Sequence, residues 1–110
     1  MGKGELAGRM RARLMVERWA GVPDGAGGFA GEGWQVVRAV WAELADLGED
    51  RETAGEATRL RRRMQAVIRP GEVDTRCRLR WGERTFAVLS ARTQPDQPDR
   101  MRLLIEELPA

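Results

Sequence analysis

The sequence contains no histidine, no tyrosine and one cysteine, and Lys3 is its only lysine. Each shortage excludes something. Without histidine, no catalytic triad that depends on an imidazole can form, and Cys77 has no partner to activate it as a nucleophile. A lone cysteine permits no intramolecular disulfide. With no histidine beside it, the chain also lacks the ligand set of a structural zinc site. No apolar run is long enough to cross a bilayer, so no membrane association is expected. The N-terminus is charged and has no apolar block of the signal-peptide type, which predicts synthesis in the cytoplasm.

What remains is a chain of 110 residues, 33% of them charged, with a formal net charge of +2. The length suits one domain, 1–110, with a modest core. The near balance of charge is unlike that of a strongly basic nucleic-acid binder. The cations are almost all arginine, the residue suited to forked recognition of phosphate or carboxylate. A GC-rich genome explains the same excess of Arg, Ala and Gly, and the spread of the arginines along the chain favours that simpler reading.

The clearest local pattern runs from Arg69 to Ala91. Pro70-Gly71 marks a turn. Cys77, Leu79 and Trp81 alternate with Arg76, Arg78 and Arg80. Gly82-Glu83 then has the glycine where a type II′ hairpin turn needs positive φ. Beyond it Phe86, Val88 and Ser90 alternate with Thr85, Ala87 and Leu89. A hairpin alone is marginal in water, so further strands are required.

Those strands are found on both sides. Residues 1–9 read as a loose arm. Met10–Trp19 reads as a strand with Leu14 and Val16 on one face, although its residue types also suit a helix. Gly21–Gly33 holds the turn Pro23-Asp24-Gly25 and too much glycine for helix; it lacks the pattern of a phosphate-binding P-loop. Trp34–Leu47 is a long strand, rich in valine, whose tail from Trp41 has helix as an alternative. Gly48–Arg63 is the least apolar stretch. It reads as a long polar loop, partly helical or disordered when free; Ala54, Ala57 and Leu60 have helical spacing, and Asp50 could serve as an N-cap. Met64–Arg69 is a third strand. Thr93–Arg100, with two Pro-Asp pairs, is a turn-rich connection. Met101–Leu108 is a last strand, with helix as the alternative on propensity. The sum is an all-β domain of about six strands, a small antiparallel barrel or sandwich. Trp34, Trp41, Trp81 and Phe86 are the expected core fillers, with Trp19 at one end. Strand edges must be covered or paired, and oligomerisation through them is one solution.

In order, Arg13–Arg18, PDGAGG (Pro23–Gly28), Trp34, VWAEL (Val40–Leu44), VIRPG (Val67–Gly71), LRWGERTFAV (Leu79–Val88) and RLLIEEL (Arg102–Leu108) resemble the head–tail joining, or head-closure and stopper, proteins of long-tailed phages and gene transfer agents. The likeness covers nearly all of the chain after the first ten residues. It implies a small β-barrel whose copies form a ring, hexameric by family expectation, in the neck of a particle. The ring's partners would be the portal or adaptor on the head side and the terminator or end of the tail. It would help retain packaged double-stranded DNA without reading its sequence. By position, the loop that closes the channel in some members falls on residues 48–63. That makes Arg59, Arg61, Arg62 and Arg63 the candidates for DNA-channel or subunit contact, with Glu49, Arg51, Glu52 and Glu56 on the same loop. Such contacts would go to phosphates, not bases. The plainer alternative is that these arginines pair with Glu49, Glu52 and Glu56.

Two other classes compete. A barrel of the oligonucleotide-binding kind stacks bases on exposed aromatics, and four tryptophans and two phenylalanines read more simply as core. An enzyme would need convergent groups. Glu106 and Glu107 are adjacent on a strand and point to opposite faces, and Asp46 with Glu49 has no third partner. No catalytic residue, cofactor or metal is expected, and Cys77 reads as a buried, inert thiol.

Overall fold

Alternation of apolar and polar residues is carried through as strand along nearly the whole chain. The computed structural model describes residues 10–19, 33–54, 57–71 and 73–109, with backbone only at 52–54 and 57–59. It contains β1 (Ala12–Trp19), β2 (Trp34–Ala54), β3 (Ala57–Ile68), β4 (Cys77–Trp81), β5 (Arg84–Gln94) and β6 (Gln97–Glu107). The pairing runs β1-β2-β3-β6-β5-β4 and returns from β4 to β1, all antiparallel, so the sheet closes into a barrel. Both the expected arm (1–9) and the glycine-rich connection up to residue 32 lie outside the described residues.

Each strand turns one set of alternate side chains inward. Leu14 and Val16, Met64, Ala66 and Ile68, Cys77 and Leu79, Phe86 and Val88, and Leu103 and Ile105 form one buried cluster with Ala42 and Val73. Interior side chains fill a barrel of this size completely. Each large aliphatic among them contributes about 1.5–3 kcal/mol on burial. On the outer face, Met10 covers Val67 in a small second cluster.

The strand β2 turns the corner of the barrel. Its first half, Trp34–Ala42, pairs with β1, and its second half, from Glu43, pairs with β3. Two hairpin turns have different chemistry. Gly82 has φ +62°, and no non-glycine residue among those described has positive φ, as a type II′ turn between Trp81 and Arg84 requires. Pro95-Asp96 joins Gln94 to Gln97 without positive φ. Such a turn matches strand twist poorly, and the β5–β6 register shifts beside it, between Thr93 and Gln94.

Several expectations are corrected. Residues 48–63 are not a part-helical loop; apart from Gly55 and Glu56, which lie outside the described residues, they are strand, and Asp50 pairs with Arg61 instead of capping a helix. The alternating opposed charges make a cross-strand ladder there, which outweighs the helical spacing of Ala54, Ala57 and Leu60. Thr93–Arg100 is the meeting of two long strands around a two-residue turn. Helix, the alternative at 10–19, 41–47 and 101–108, occurs in none of them. Of the expected aromatic fillers, Phe86 is fully buried and Trp81 packs against the core, but Trp41 is 51% exposed. The closed barrel has no terminal strand, so edge-to-edge pairing is not needed to complete it.

Candidate functional site

The strands β2 and β3 outrun the barrel. β3 pairs with β6 only from Arg63 to Ile68. Beyond it, Glu49–Ala54 and Ala57–Arg62 pair only with each other, as a projecting two-stranded ribbon. A bulge lies at its root: Asp46 pairs with Met64 and Gly48 with Arg63, leaving Leu47 unmatched. Gly48 takes φ +96°, with nothing within 4 Å of where a Cβ would stand. The glycine is therefore needed for backbone conformation, not for space. The Asp46 side chain accepts the Gly48 N–H at 2.7 Å, fixing the bulge. Bulges bend a strand and re-aim the side chains that follow.

Along the ribbon the register sets Glu49 opposite Arg62, Asp50 opposite Arg61 and Glu52 opposite Arg59. Opposed charges facing each other on neighbouring strands favour this pairing over its slips. Arg62 donates to Glu49. Arg63 donates through Nε to Glu106 at 3.3 Å, and Arg61 lies 3.7 Å from the same carboxylate. Three of the four candidate arginines are thus ion-paired, and Glu106, on β6, ties the ribbon's root to the barrel. The fourth, Arg59, is placed by register alone, as is Glu52. Arg51 is exposed opposite Leu60, and Glu56 lies outside the described residues. Glu106 was legible in sequence only as half of an adjacent carboxylate pair. The strand separates the two as alternation demands: Glu106 serves the ribbon, and Glu107 meets Arg84 on the barrel.

Other charges hold the barrel itself. Glu17 is buried, accepts from Arg78 Nε at 2.5 Å and lies 3.7 Å from Arg80. Arg78 also stacks over Trp34 at 4.4 Å. Asp74 receives the Arg76 N–H and guanidinium, both at 2.9 Å, and Arg18 at 3.3 Å. The Arg76 hydrogen bonds hold the Asp74 carboxyl below its usual range. Cys77 is buried and its thiol lies 3.7 Å from Asp74. Among the described residues, no group of three or more His, Cys, Asp or Glu side chains could hold a metal.

Two outer surfaces stand out. One is apolar: Val37 and Trp41 project outward from β2, and Val36 is exposed beside them, whereas the exposed Trp19 and Leu60 pair with opposite ends of β2. Arg13 lies over the Trp41 ring at 5.0 Å, and Trp19 meets Trp34 edge-to-face at 5.6 Å. The sequence pattern had two faces of β2 to choose between; Val40, Ala42 and Leu44 took the inside. The other surface is a depression of about 320 Å³ over β3, β6 and β5, lined by Gln65, Ser90, Arg92, Gln94, Arg102 and Leu104.

The comparisons with known proteins agree with one another. Residues 6–107 match the family described as phage head completion protein. A chain from a structure titled "Virion of native gene transfer agent (GTA) particle" has the same fold, with a TM-score of 0.73 and 25% identity, over 93% of this chain and 98% of that one. No curated protein matches. With nearly its whole length matched, the chain belongs to the phage head completion protein family.

Proposed function

We propose that this chain is a structural protein of the neck of a phage or phage-like gene-transfer particle. Copies form a ring, six-fold by family expectation, that joins the portal and adaptor of the DNA-filled head to the end of the tail and helps retain packaged double-stranded DNA. The observation that carries this reading is the family match over residues 6–107, backed by the likeness to a chain of a gene-transfer-agent virion. The geometry is compatible: a closed, well-filled barrel is a rigid unit for a ring, and the β2–β3 ribbon is an arm long enough to leave it.

The ribbon is the candidate for channel or subunit contact. Arg61, Arg62 and Arg63 keep roughly a third or more of their side-chain surface exposed while paired. A phosphate could therefore share or replace a carboxylate without the ribbon unfolding. Each such contact is weak and not sequence-specific, and a ring multiplies it by repetition.

A second reading has one observation in its favour. Trp19 and Trp41 are more than half exposed, as base-stacking residues are. Against it, Arg13 covers one face of Trp41, and the six-stranded circuit differs from the five-stranded oligonucleotide-binding barrel. Quenching of tryptophan fluorescence by single-stranded DNA at moderate salt would favour this alternative.

The deciding experiment removes the gene and examines particles by electron microscopy. Separate heads and finished tails are expected, with the heads empty if the ring also retains DNA. Joined, filled particles would end the neck reading.

A further inference from the structure

The arginines of this fold divide into those that meet a carboxylate and those that do not. Arg61, Arg62 and Arg63 on the ribbon and Arg78 and Arg84 on the barrel are ion-paired. Arg92 on β5 and Arg102 on β6 are direct cross-strand partners, and like charges in that relation repel. Both are exposed. Neither meets a carboxylate among the described residues; Arg102 reaches only the neutral Gln97 Oε1, at 3.5 Å. On the other side of Arg102 stands Val67, which is also the partner of Glu43. The valine lies between the two charged residues, and no ion pair joins them. One step beyond the Ile68–Met101 pair, Arg69 and Arg100 follow side by side. Hydrogen bonds from Arg100 hold the Asp99 carboxyl below its usual range, and the charge of Arg69 adds to the effect. Arg69 is therefore near Asp99, but it has no salt bridge of its own among the described residues. Arg69, Arg92 and Arg102 thus form an uncompensated basic patch at one end of the outer face of β3, β6 and β5.

The surroundings of the patch suit an anion. Arg92 and Arg102 line the depression on this face with Gln65, Ser90, Gln94 and the half-buried Leu104. Every polar side chain in that lining can donate a hydrogen bond, and none is acidic. Arginine, serine and glutamine are side chains that take the phosphate oxygens of nucleic acid. No aromatic residue lines the depression, so it offers no platform for unstacked bases. Such a set meets backbone charge without reading bases, and it suits a duplex. An acidic protein surface also carries anions, but protein interfaces are centred on buried apolar and aromatic contacts. Here Leu103 and Leu104 are the only apolar side chains of the lining.

We propose that this face, centred on Arg92 and Arg102, is a binding site for the phosphate backbone of double-stranded DNA. The inference rests on the neck reading above and names the barrel wall that meets the packaged duplex. A phosphate seated between the two guanidiniums relieves their repulsion and accepts charge-assisted hydrogen bonds from both. Arg69 extends the contact to a neighbouring phosphate. The ribbon arginines must share or give up a carboxylate to do the same, so they contribute less.

The test follows the fluorescence anisotropy of a labelled, mixed-sequence DNA duplex titrated with the full chain at low salt, then across a salt series. Saturable binding is expected, with a log–log salt slope of about −3. Arg92→Gln/Arg102→Gln should weaken it about tenfold and flatten the slope by about 2. Arg61→Gln/Arg62→Gln removes the same net charge and should weaken it by no more than about twofold. Arg92→Lys/Arg102→Lys keeps both charges and should keep the slope. The Arg92→Gln/Arg102→Gln variant ends a repulsion, so its melting temperature should not fall. If it does fall, Arg92→Gln alone decides: the slope should flatten by about 1, and an unchanged slope would overturn the site. No binding by the native chain, or equal weakening by the two double glutamine variants, would overturn it as well. Binding to poly-glutamate and not to the duplex would overturn it by assigning the face to an acidic protein partner. These measurements use the isolated chain, so their failure leaves the neck role standing. Joined, filled particles after gene removal would end that role and leave a measured DNA site in place.

Discussion

Arg84 grips Glu107 with two parallel hydrogen bonds, Nε to Oε2 at 3.1 Å and Nη2 to Oε1 at 2.7 Å. The pair fastens the start of β5 to the end of β6, where Leu108 also donates its N–H to Thr85 at 2.8 Å. Arg84 lies over both Trp81 and Phe86, at 5.3 and 5.2 Å, so the fork also covers one end of the core. The Arg84 hydrogen bonds hold the Glu107 carboxyl below its ordinary value of 4.5.

A pH dependence follows. Because the folded carboxyl is the stronger acid, its stabilisation is complete above the unfolded value near 4.5 and is lost as pH falls through the lower folded value. Glu107→Gln should cost about 1 kcal/mol at neutral pH, an amount kept small by partial exposure of both groups. Urea unfolding at pH 7 and then in steps down to about pH 3 should show the wild type converging on the variant. Parallel curves would mean that Glu107 contributes nothing through its charge.

The buried Glu17 predicts an asymmetry between removing its partner Arg78 and removing its own charge. Arg78→Ala strands a carboxylate inside the barrel wall with only Arg80, at 3.7 Å, to balance it. It also strips the cation from Trp34. The expected cost is about 3 kcal/mol. Glu17→Gln leaves an arginine that can reach water and keeps the Trp34 contact, so it should cost about 1 kcal/mol. Equal losses in denaturant midpoints would argue against burial of the carboxylate as the dominant factor.

Gly48 and Gly82 should respond to backbone chemistry alone. Both have positive φ and open space around the missing Cβ. Alanine at either site should cost about 1–2 kcal/mol. The two differ in reach. Gly82→Ala strains the β4–β5 hairpin, a part of the barrel, and should lower the melting temperature. Gly48→Ala strains the ribbon's root and should chiefly raise amide exchange between residues 48 and 63. Matching effects on global melting would place the ribbon inside the same cooperative unit.

The aromatic residues should sort by location, not by size. Phe86→Ala opens a cavity in a closed barrel and should cost about 3–5 kcal/mol, a large part of a small domain's stability. Trp41→Ala removes a larger ring from the outside and should change stability by less than about 1 kcal/mol. If Trp41→Ala unfolded the chain as readily, the outward assignment of that face would be wrong.

Period-two patterning determined much of this protein. Alternation around Gly82 set the β4–β5 hairpin, its turn type and the inward places of Cys77, Leu79 and Phe86. Alternation also separated Glu106 from Glu107. The order of motifs from Arg13 to Leu108 pointed to the family. These features are local, or are sums of local signals, and a single chain carries them.

Only the tertiary structure decided the rest. Val36, Val40 and Leu44 on one face of β2 and Val37, Ala39 and Trp41 on the other are both apolar enough to face a core. Pairing with β1 and β3 turned Val40, Ala42 and Leu44 inward and left Trp41 outside, and the register shift after Val16 left Val36 exposed as well. The stretch 48–63 has helical spacing of its few apolar residues, so its strand character came from elsewhere. It arose because the β2 and β3 registers continue outward from the barrel and set Glu49 against Arg62 and Asp50 against Arg61. The partnership of Arg63 with Glu106 spans 43 residues of sequence, and the opposition of Arg92 to Arg102 depends on the β5–β6 register. Contacts of that kind exist only after the circuit of strands has closed.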